Sequence, residues 1–266
     1  MASDAHAHPY CLAPLWPEAE AERKRNNIRC AASAFRRDEF LYNEALSPKN
    51  GVPACAPCFA VHPQLPAENL RLRARGSAVY DVHALLYVLE DFARQGRLRG
   101  VGELGFDLYN AEYRATEKEQ TSLFKAQLEI ARAYALPLVL HLRRAAHKVF
   151  EYKKELRRLP AVVFHSFCFP PDFMEAVLRH RINGYFSFGS RLYGHKNARL
   201  SAAAADGGRL LFETDAPYQS VNGKAFSVYG DIFGVINEAA ELRRRGAAEI
   251  EAASDSNWTA VFGGGL

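Results

Sequence analysis

One pattern constrains the fold of this chain more than any other: a short apolar run precedes a longer amphipathic segment, repeatedly along the sequence. Eight apolar runs can be counted, and they are Ala2–His6, Ile28–Phe35, Ala54–Val61, Leu98–Leu104, Leu136–Leu142, Ala161–His165, Ile182–Phe188 and Arg209–Thr214. Near-continuous apolar strands that alternate with helices are typical of a parallel sheet covered by helices. Eight such units predict an α/β fold, a single TIM-type (β/α)8 barrel, with a doubly wound open sheet as the alternative.

The segments between the apolar runs have helical spacing. In Ala84–Gln95, for example, the apolar residues recur on one face of a helix. The other predicted helices are Glu117–Tyr134, Ala145–Leu156 and Pro171–His180, followed by the C-terminal helices Asp231–Gly246 and Ala247–Phe262. Because no linker or repeat interrupts the pattern, residues 1–266 are predicted to form one barrel domain, and this length suits a fold of about 250 residues.

Composition excludes some classes of protein. A formal net charge of +4 is too weak to identify a nucleic-acid binder, although it is compatible with a polyanionic substrate. No signal peptide is visible, and no apolar run reaches the roughly 20 residues of a membrane span, so we expect a cytoplasmic protein without a membrane partner. Cys55 and Cys58 lack further zinc ligands at suitable spacing, so they are predicted to be buried strand residues.

Polar side chains interrupt the pattern at the C-terminal ends of the predicted strands. They are His6, His8, His62, Glu103, His141, His165 and Asp215. In a barrel these ends converge on one face, where active sites are assembled from separate strands. His6 and His8 also share a face of an extended strand, because side chains two residues apart point the same way.

Each of these residues also has an ordinary structural interpretation. A single histidine is more often a hydrogen-bonded core residue than a ligand, Asp215 could cap the next segment, and Glu103 could pair with Arg143. Considered together, they predict a metal centre, because four imidazoles and two carboxylates can hold two divalent ions if one carboxylate bridges them. The predicted ligands are His6, His8, Glu103, His141, His165 and Asp215.

Several motifs carry a family resemblance. They are Asp4-x-His6-x-His8, Val61-His62-Pro63, Gly102-Glu103-Leu104-Gly105-Phe106-Asp107, Pro137 with His141-x-Arg143, His165-x-Phe167 and Glu213-Thr214-Asp215-x-Pro217-Tyr218. In this order they resemble the TatD family of metal-dependent deoxyribonucleases. The resemblance spans residues 2 to about 218 and returns near the C-terminus, at Asn257 and Val261-Phe262.

The resemblance implies a barrel that binds two divalent cations and hydrolyses phosphodiesters, usually at DNA ends. By position, His6, His8 and Asp215 would hold one ion, His141 and His165 the other, and Glu103 would bridge them. Imidazole and carboxylate ligands suit zinc or manganese better than magnesium, although magnesium is also possible. The predicted catalytic residues are Glu103 and Asp215, the latter accepting a proton from a bridging hydroxide that attacks phosphorus.

The predicted substrate contacts are His62, Arg143, Lys196 and Tyr218, with single-stranded DNA or 3′ ends as the expected substrate of a monomeric enzyme. His62 could instead be structural, and Arg143 could fix Glu103 rather than contact phosphate. The aromatic residues of the loops around the site could stack bases or simply pack within their loops. They are Phe106, Tyr109, Phe167, Phe169 and Tyr218.

The sequence departs from the family pattern at three places. Ala60 replaces the family's usual glycine, the loop after His165 reads Ser166-Phe167-Cys168-Phe169, and Gln219–Lys224 replaces a stretch that usually contains proline, asparagine and arginine. These changes leave the predicted ligands intact, so they bear on the substrate rather than on the metal centre.

Two other functions are consistent with the same residues. One is hydrolysis of an amide, lactone or acyl substrate on the same metal site, but Glu103 stands where many such enzymes have a modified lysine, which favours the phosphoesterase. The other is a barrel that binds without catalysis. The complete set of six ligands argues against it, because buried charges without a function cost stability.

Overall fold

The structure, a computed structural model, describes residues 1–47, 55–221 and 223–264, so Ala54 of the third predicted run and Asn222 lie outside the described residues. Its centre is an eight-stranded parallel sheet in which the strands follow one another in sequence order. The strands are β1 (Ala2–Ala7), β2 (Ile28–Ala34), β3 (Cys55–Phe59), β4 (Gly100–Asp107), β5 (Leu138–Arg143), β6 (Val162–Phe164), β7 (Gly184–Phe188) and β8 (Leu210–Phe212). A doubly wound sheet would reverse its strand order at a switch point, whereas the order here runs from β1 to β8 without reversal. The doubly wound alternative is therefore wrong.

Hydrogen bonds just beyond β8 join the last strand to the first. The backbone N–H of Asp215 donates to the carbonyl of His6 at 2.9 Å, and that of His8 donates to the carbonyl of Ala216 at 2.7 Å. The backbone N–H and the hydroxyl of Thr214 also donate to the buried carboxylate of Asp4, at 3.1 and 2.5 Å. The predicted TIM-type barrel is therefore confirmed.

Helices connect the strands and pack on the sheet. They are α1 (Pro9–Leu12), α2 (Ala19–Arg25), α3 (Arg37–Ala45), α4 (Leu65–Ala74), α5 (Val82–Arg94), α6 (Ala111–Ala115), α7 (Glu117–Ala133), α8 (Ala146–Glu151), α9 (Lys153–Leu156), α10 (Pro171–Arg179), α11 (Lys196–Ala204), α12 (Asp231–Arg243) and α13 (Ala247–Phe262). Two short 3₁₀ helices cover Ser190–Tyr193 and Gly207–Arg209. The predicted helix Ala145–Leu156 is in fact two helices that meet at Tyr152.

Buried apolar residues of the helices pack against the outer residues of the strands in one large cluster; Phe40 of α3, Phe92 of α5 and Phe124 of α7 belong to it. Cys55 and Cys58 are buried in β3, as predicted.

The C-terminal helix α13 closes the barrel at the end opposite to the predicted site. Trp258, Val261 and Phe262 join small residues of the strands in the interior cluster. Asn257 donates to the carbonyl of Leu210, the first residue of β8, at 2.8 Å. The other end of the barrel, where the strands finish, is therefore left for the site. Within the described ranges, no helix is long and apolar enough to cross a membrane.

Candidate metal centre

The C-terminal ends of five strands bring the six predicted ligands together. Three of them belong to β1, β4 and β5, and three follow the ends of β1, β6 and β8 within three residues. The six are His6, His8, Glu103, His141, His165 and Asp215. All are buried except His8, which is partly exposed.

The two carboxylate oxygens of Glu103 face different histidines. Oε1 lies 2.9 Å from Nε2 of His165 and also contacts Nδ1 of His141. Oε2 lies 3.3 Å from Nε2 of His6 and 3.9 Å from Nε2 of His8. A carboxylate in this position can serve two neighbouring sets of nitrogen ligands at once.

Asp215 lies on the side of His6 and His8. Its Oδ1 is 3.6 Å from Nε2 of His6 and 3.4 Å from Nε2 of His8, so the three side chains could share a cation. Its φ of 54° is in the left-handed region, which aspartate tolerates better than most residues. Gln219 donates to the other oxygen, Oδ2, at 2.6 Å.

Gly105 allows β4 and β5 to approach closely. It pairs with His141 across the two strands and has a φ of 140°. A Cβ at this position would lie 2.2 Å from the carbonyl oxygen of His141, so a larger residue would push the strands apart. The approach helps to bring Glu103 of β4 into contact with His141 of β5.

Three of the histidines have a partner on the ring nitrogen that faces away from the centre. The pairs are His6 Nδ1 with Ser33 Oγ, His141 Nε2 with Asp107 Oδ2 and His165 Nδ1 with Glu213 Oε1, each at 3.2 Å. A carboxylate can only accept, so Asp107 and Glu213 place a proton on the outer nitrogen and leave the inner nitrogen its lone pair. This is how histidines that ligate metals are usually oriented, so the residues fit divalent cations.

Electrostatics in the centre also fit cations. Burial alone would raise the pKa of Glu103, but the charges of His165, His62 and His141 outweigh it and hold that pKa well below its usual value. Burial would lower the pKa of His165, but Glu103 and Glu213 raise it well above its usual value. The carboxylates thus draw positive charge into the site. A divalent cation can supply that charge in exchange for protons, because metal ligands must be deprotonated.

Asp107 is a buried residue to which the sequence interpretation assigned no role. Its carboxylate accepts from Nε2 of His141, from Nε2 of Gln64 at 2.7 Å and from the backbone N–H of Tyr109 at 3.0 Å. Burial would raise its pKa, but the hydrogen bonds from His141 and Gln64 bring the pKa of Asp107 down to about 2. Asp107 and Glu213 both occur in motifs of the resemblance, whereas no sequence signal pointed to Ser33 or Gln64. Gln219 begins one of the stretches that depart from the family pattern, and because it contacts Asp215 that stretch bears on the metal centre as well as on the substrate.

A cavity of about 690 Å³ opens beside the centre. Of the four predicted substrate contacts, His62, Arg143 and Tyr218 line it; Tyr218 is 52% exposed, with its ring edge-on to His8 at 5.1 Å. Lys196, at the exposed start of α11, is not among the described residues that line this cavity, whereas Arg191 is.

For two sets of neighbouring residues, the structure favours one of the alternatives that the sequence left open. Arg143 does not hold Glu103: its Nη1 lies 3.5 Å from Asp107 Oδ2, and its guanidinium covers the ring of Tyr109 at 4.2 Å. Phe106 and Phe167 are each 1% exposed and pack in the core, so they cannot stack on bases, whereas Tyr109 is exposed.

The family model for TatD-related DNases matches residues 3–263. The chain belongs to this family. A curated TatD relative is the 3′-5′ ssDNA/RNA exonuclease TatD of Escherichia coli K12, 29% identical over 184 residues, which are 65% of this chain and 69% of the relative. An uncharacterized metal-dependent hydrolase of Mycoplasma pneumoniae is 28% identical over 164 residues, 59% of this chain and 62% of that protein. The chain therefore spans about two thirds of the length of these relatives.

Solved structures agree with the TatD fold. The TatD homolog YJJV of Escherichia coli K12 has a TM-score of 0.81 at 24% identity, with 98% of this chain and 97% of that chain covered. An uncharacterized amidohydrolase of Saccharomyces cerevisiae has a TM-score of 0.77 at 16% identity, with 98% and 99% covered. The chain is thus a member of the TatD-related DNase family with a buried cluster of histidines and carboxylates that could bind metal.

Proposed function

We propose that this chain is a divalent-metal-dependent phosphodiesterase that removes nucleotides from DNA ends. The observation that carries the proposal is the position of Glu103, whose two oxygens face separate sets of histidines. Membership of the TatD-related DNase family and the curated name of the Escherichia coli relative support a nucleic-acid substrate.

We assign the cations to the chain's own residues as follows. His6, His8 and Asp215 would hold one ion and His141 and His165 the other, with Glu103 as the ligand that both would share. Two divalent ions, zinc, manganese or magnesium, would lower the pKa of water and neutralise charge on phosphoryl oxygens. The proposal includes a monomeric, single-domain, cytoplasmic protein, and size-exclusion chromatography with light scattering tests the monomer.

Asp215 acts as the proton acceptor in this proposal. Burial would raise its pKa, but the hydrogen bond with His8 and the charges of His6 and His165 lower it, so the side chain is an ionised carboxylate. Oδ1 faces His6 and His8 and Gln219 donates to Oδ2, so the carboxylate is held beside the centre, where it would take the proton of the attacking water. Arg143 and Arg191 lie on the cavity wall, where their guanidinium groups can pair with phosphate oxygens.

The test is a substrate panel with added manganese: 3′- and 5′-labelled single- and double-stranded oligonucleotides, bis-p-nitrophenyl phosphate and N-acyl and lactone compounds. We expect cleavage of oligonucleotide ends, with single strands preferred. Turnover of only the acyl or lactone compounds would sink the proposal in favour of hydrolysis at carbon.

Glu103→Gln tests the site within the same panel. The substitution preserves volume but removes the charge that two sets of ligands share, so we expect loss of bound metal and of phosphodiester cleavage. The matched control is Glu249→Gln, since Glu249 is exposed on α13 and pairs with Arg245 at 3.4 Å. If Glu103→Gln kept both metal and turnover, the bridging role would be wrong.

A further inference from the structure

We infer that His62 presents an N–H group to the substrate as a hydrogen-bond donor and is not a metal ligand; this rests on the proposed function. His62 follows β3 and lines the cavity, with Nε2 3.4 Å from Glu103 Oε1. Together with Glu103 and His141 it forms a group compact enough to share a cation. Distance alone would therefore add His62 to the ligands.

The hydrogen bond on the other ring nitrogen decides otherwise. The backbone N–H of Gln64 donates to Nδ1 of His62 at 3.2 Å. A backbone N–H can only donate, so Nδ1 is unprotonated and the neutral ring carries its proton on Nε2. Nε2 then has no lone pair to offer a cation. His141 and His165 have the opposite arrangement, because Asp107 and Glu213 accept from their outer nitrogens.

Gln64 is held in position from both of its ends. Its side chain donates to Asp107 Oδ2 at 2.7 Å, and the next residue, Leu65, donates its backbone N–H to the carbonyl of His62 at 3.0 Å. The turn from His62 into α4 is therefore tied to the same buried carboxylate that orients His141. One residue, Asp107, thus supports both a ligand histidine and, through Gln64, a histidine of the opposite tautomer.

A neutral Nε2–H beside the centre suits one task in phosphodiester hydrolysis. Negative charge grows on the phosphoryl oxygens as the attacking oxygen bonds to phosphorus and the bond to the leaving oxygen breaks. A neutral imidazole is too weak an acid to give its proton away, so His62 stabilises this charge by a hydrogen bond and no proton moves. Removal of one such donor typically slows catalysis by about 100- to 1,000-fold.

The variants His62→Ala and His62→Gln separate a donor from a ligand. We expect both to bind as much zinc or manganese per chain as the unmodified protein. His62→Ala should lower kcat on bis-p-nitrophenyl phosphate by about 100-fold or more. His62→Gln, whose amide nitrogen can take the place of Nε2, should recover at least about ten-fold of that loss, since an amide also donates.

The control is His141→Ala, which should lose metal. Metal loss from His62→Ala equal to that of His141→Ala would make His62 a ligand and overturn the inference. Retention of metal with no rescue by His62→Gln would overturn the donor role. Circular dichroism and thermal unfolding of both variants identify any loss of fold.

A second readout does not need activity. The readout is the ¹⁵N NMR spectrum of zinc-loaded protein with ¹⁵N-labelled histidine. The signals of His62 are identified as those that are absent from the spectrum of His62→Gln. We expect an unprotonated Nδ1 and a protonated Nε2, and the reverse would overturn the inference. If the protein cleaves no phosphodiester yet keeps this tautomer and its metal, the proposed function fails, while the tautomer of His62 and its exclusion from the metal ligands stand.

Discussion

Glu213 and His165 form a buried carboxylate–imidazole pair, with Oε1 of Glu213 3.2 Å from Nδ1 of His165. The opposite ring nitrogen of His165 lies 2.9 Å from Glu103. Oε1 of Glu213 also accepts from the backbone N–H of Ser166 at 2.7 Å, while its Oε2 is buried without a hydrogen-bond partner among the described residues. A buried carboxylate with one unpaired oxygen is costly, so the position of Glu213 argues that it serves to orient His165.

Glu213→Gln should weaken metal binding without removing a ligand. The variant keeps the volume of the side chain but loses the negative charge that makes His165 a more basic metal ligand. We therefore expect the affinity for zinc or manganese to fall by about 10- to 100-fold. Titration of metal-free protein measures the change, with Glu249→Gln as the control. Unchanged affinity would show that Glu213 does not act through His165.

Asp107→Asn should act in the same way through His141, the other histidine proposed to hold the same ion. An asparagine can turn an N–H toward Nε2 of His141, which would favour the wrong tautomer, so we expect affinity to fall by about 10- to 100-fold. The metal content of dialysed protein reports the effect. Asp91→Asn is a suitable control because Asp91 pairs with Arg94 on α5. An equal metal content in the two variants would contradict the prediction.

Gln219→Ala tests a residue in one of the stretches that depart from the family pattern. Gln219 donates to Asp215 Oδ2 at 2.6 Å and to Ser166 Oγ at 2.9 Å, and thereby ties together two residues with positive φ, 54° and 49°. Without this tie, Asp215 is less well oriented, and we expect kcat to fall by about ten-fold. Steady-state kinetics at saturating manganese checks this, and wild-type kcat would assign Gln219 to loop structure alone.

Chelation should lower the thermal stability of the protein. A ligand that binds only the folded state at about 100 times its Kd adds about 2.7 kcal/mol to the free energy of unfolding. We expect EDTA to lower Tm by several degrees and excess manganese or zinc to restore it. Glu103→Gln should show a smaller response, and a Tm insensitive to chelation would contradict a metal centre that is occupied in solution.

Lys148 should make stability depend on alkaline pH. Burial would lower its pKa, but ion pairs with Glu117 at 2.7 Å and Glu151 at 3.1 Å raise it above 10.5. A raised folded pKa means that the stabilisation is complete below 10.5 and is lost as pH rises through the folded value. The difference in unfolding free energy between wild type and Lys148→Met should therefore shrink only above pH 10.5. If the difference in unfolding free energy between the two proteins already shrinks at neutral pH, the prediction for Lys148 is wrong.

Much of the architecture was predictable because its signals are local. The alternation of apolar runs with amphipathic segments predicts strands and helices from side-chain periodicity, and all eight predicted strands are present. Parallel strands in a barrel end on one face, so polar residues at those ends had to converge. Six helices, α1, α2, α3, α4, α6 and α11, were not predicted. Helices α1, α2 and α6 have four to seven residues, too few to establish a helical period, whereas α3, α4 and α11 have nine or ten.

The sequence by itself therefore determined the barrel and the set of six side chains at its C-terminal end. Only the tertiary structure decided which oxygen of Glu103 faces which histidine, and that Arg143 contacts Asp107 instead. It also decided which groups face the outer ring nitrogens of His141 and His165, because Asp107 and Glu213 come from other parts of the chain. The periodicity of apolar residues in the sequence indicates which way a side chain points from its own strand. A hydrogen bond between strands instead depends on distances of about 3 Å between residues that are far apart in the chain.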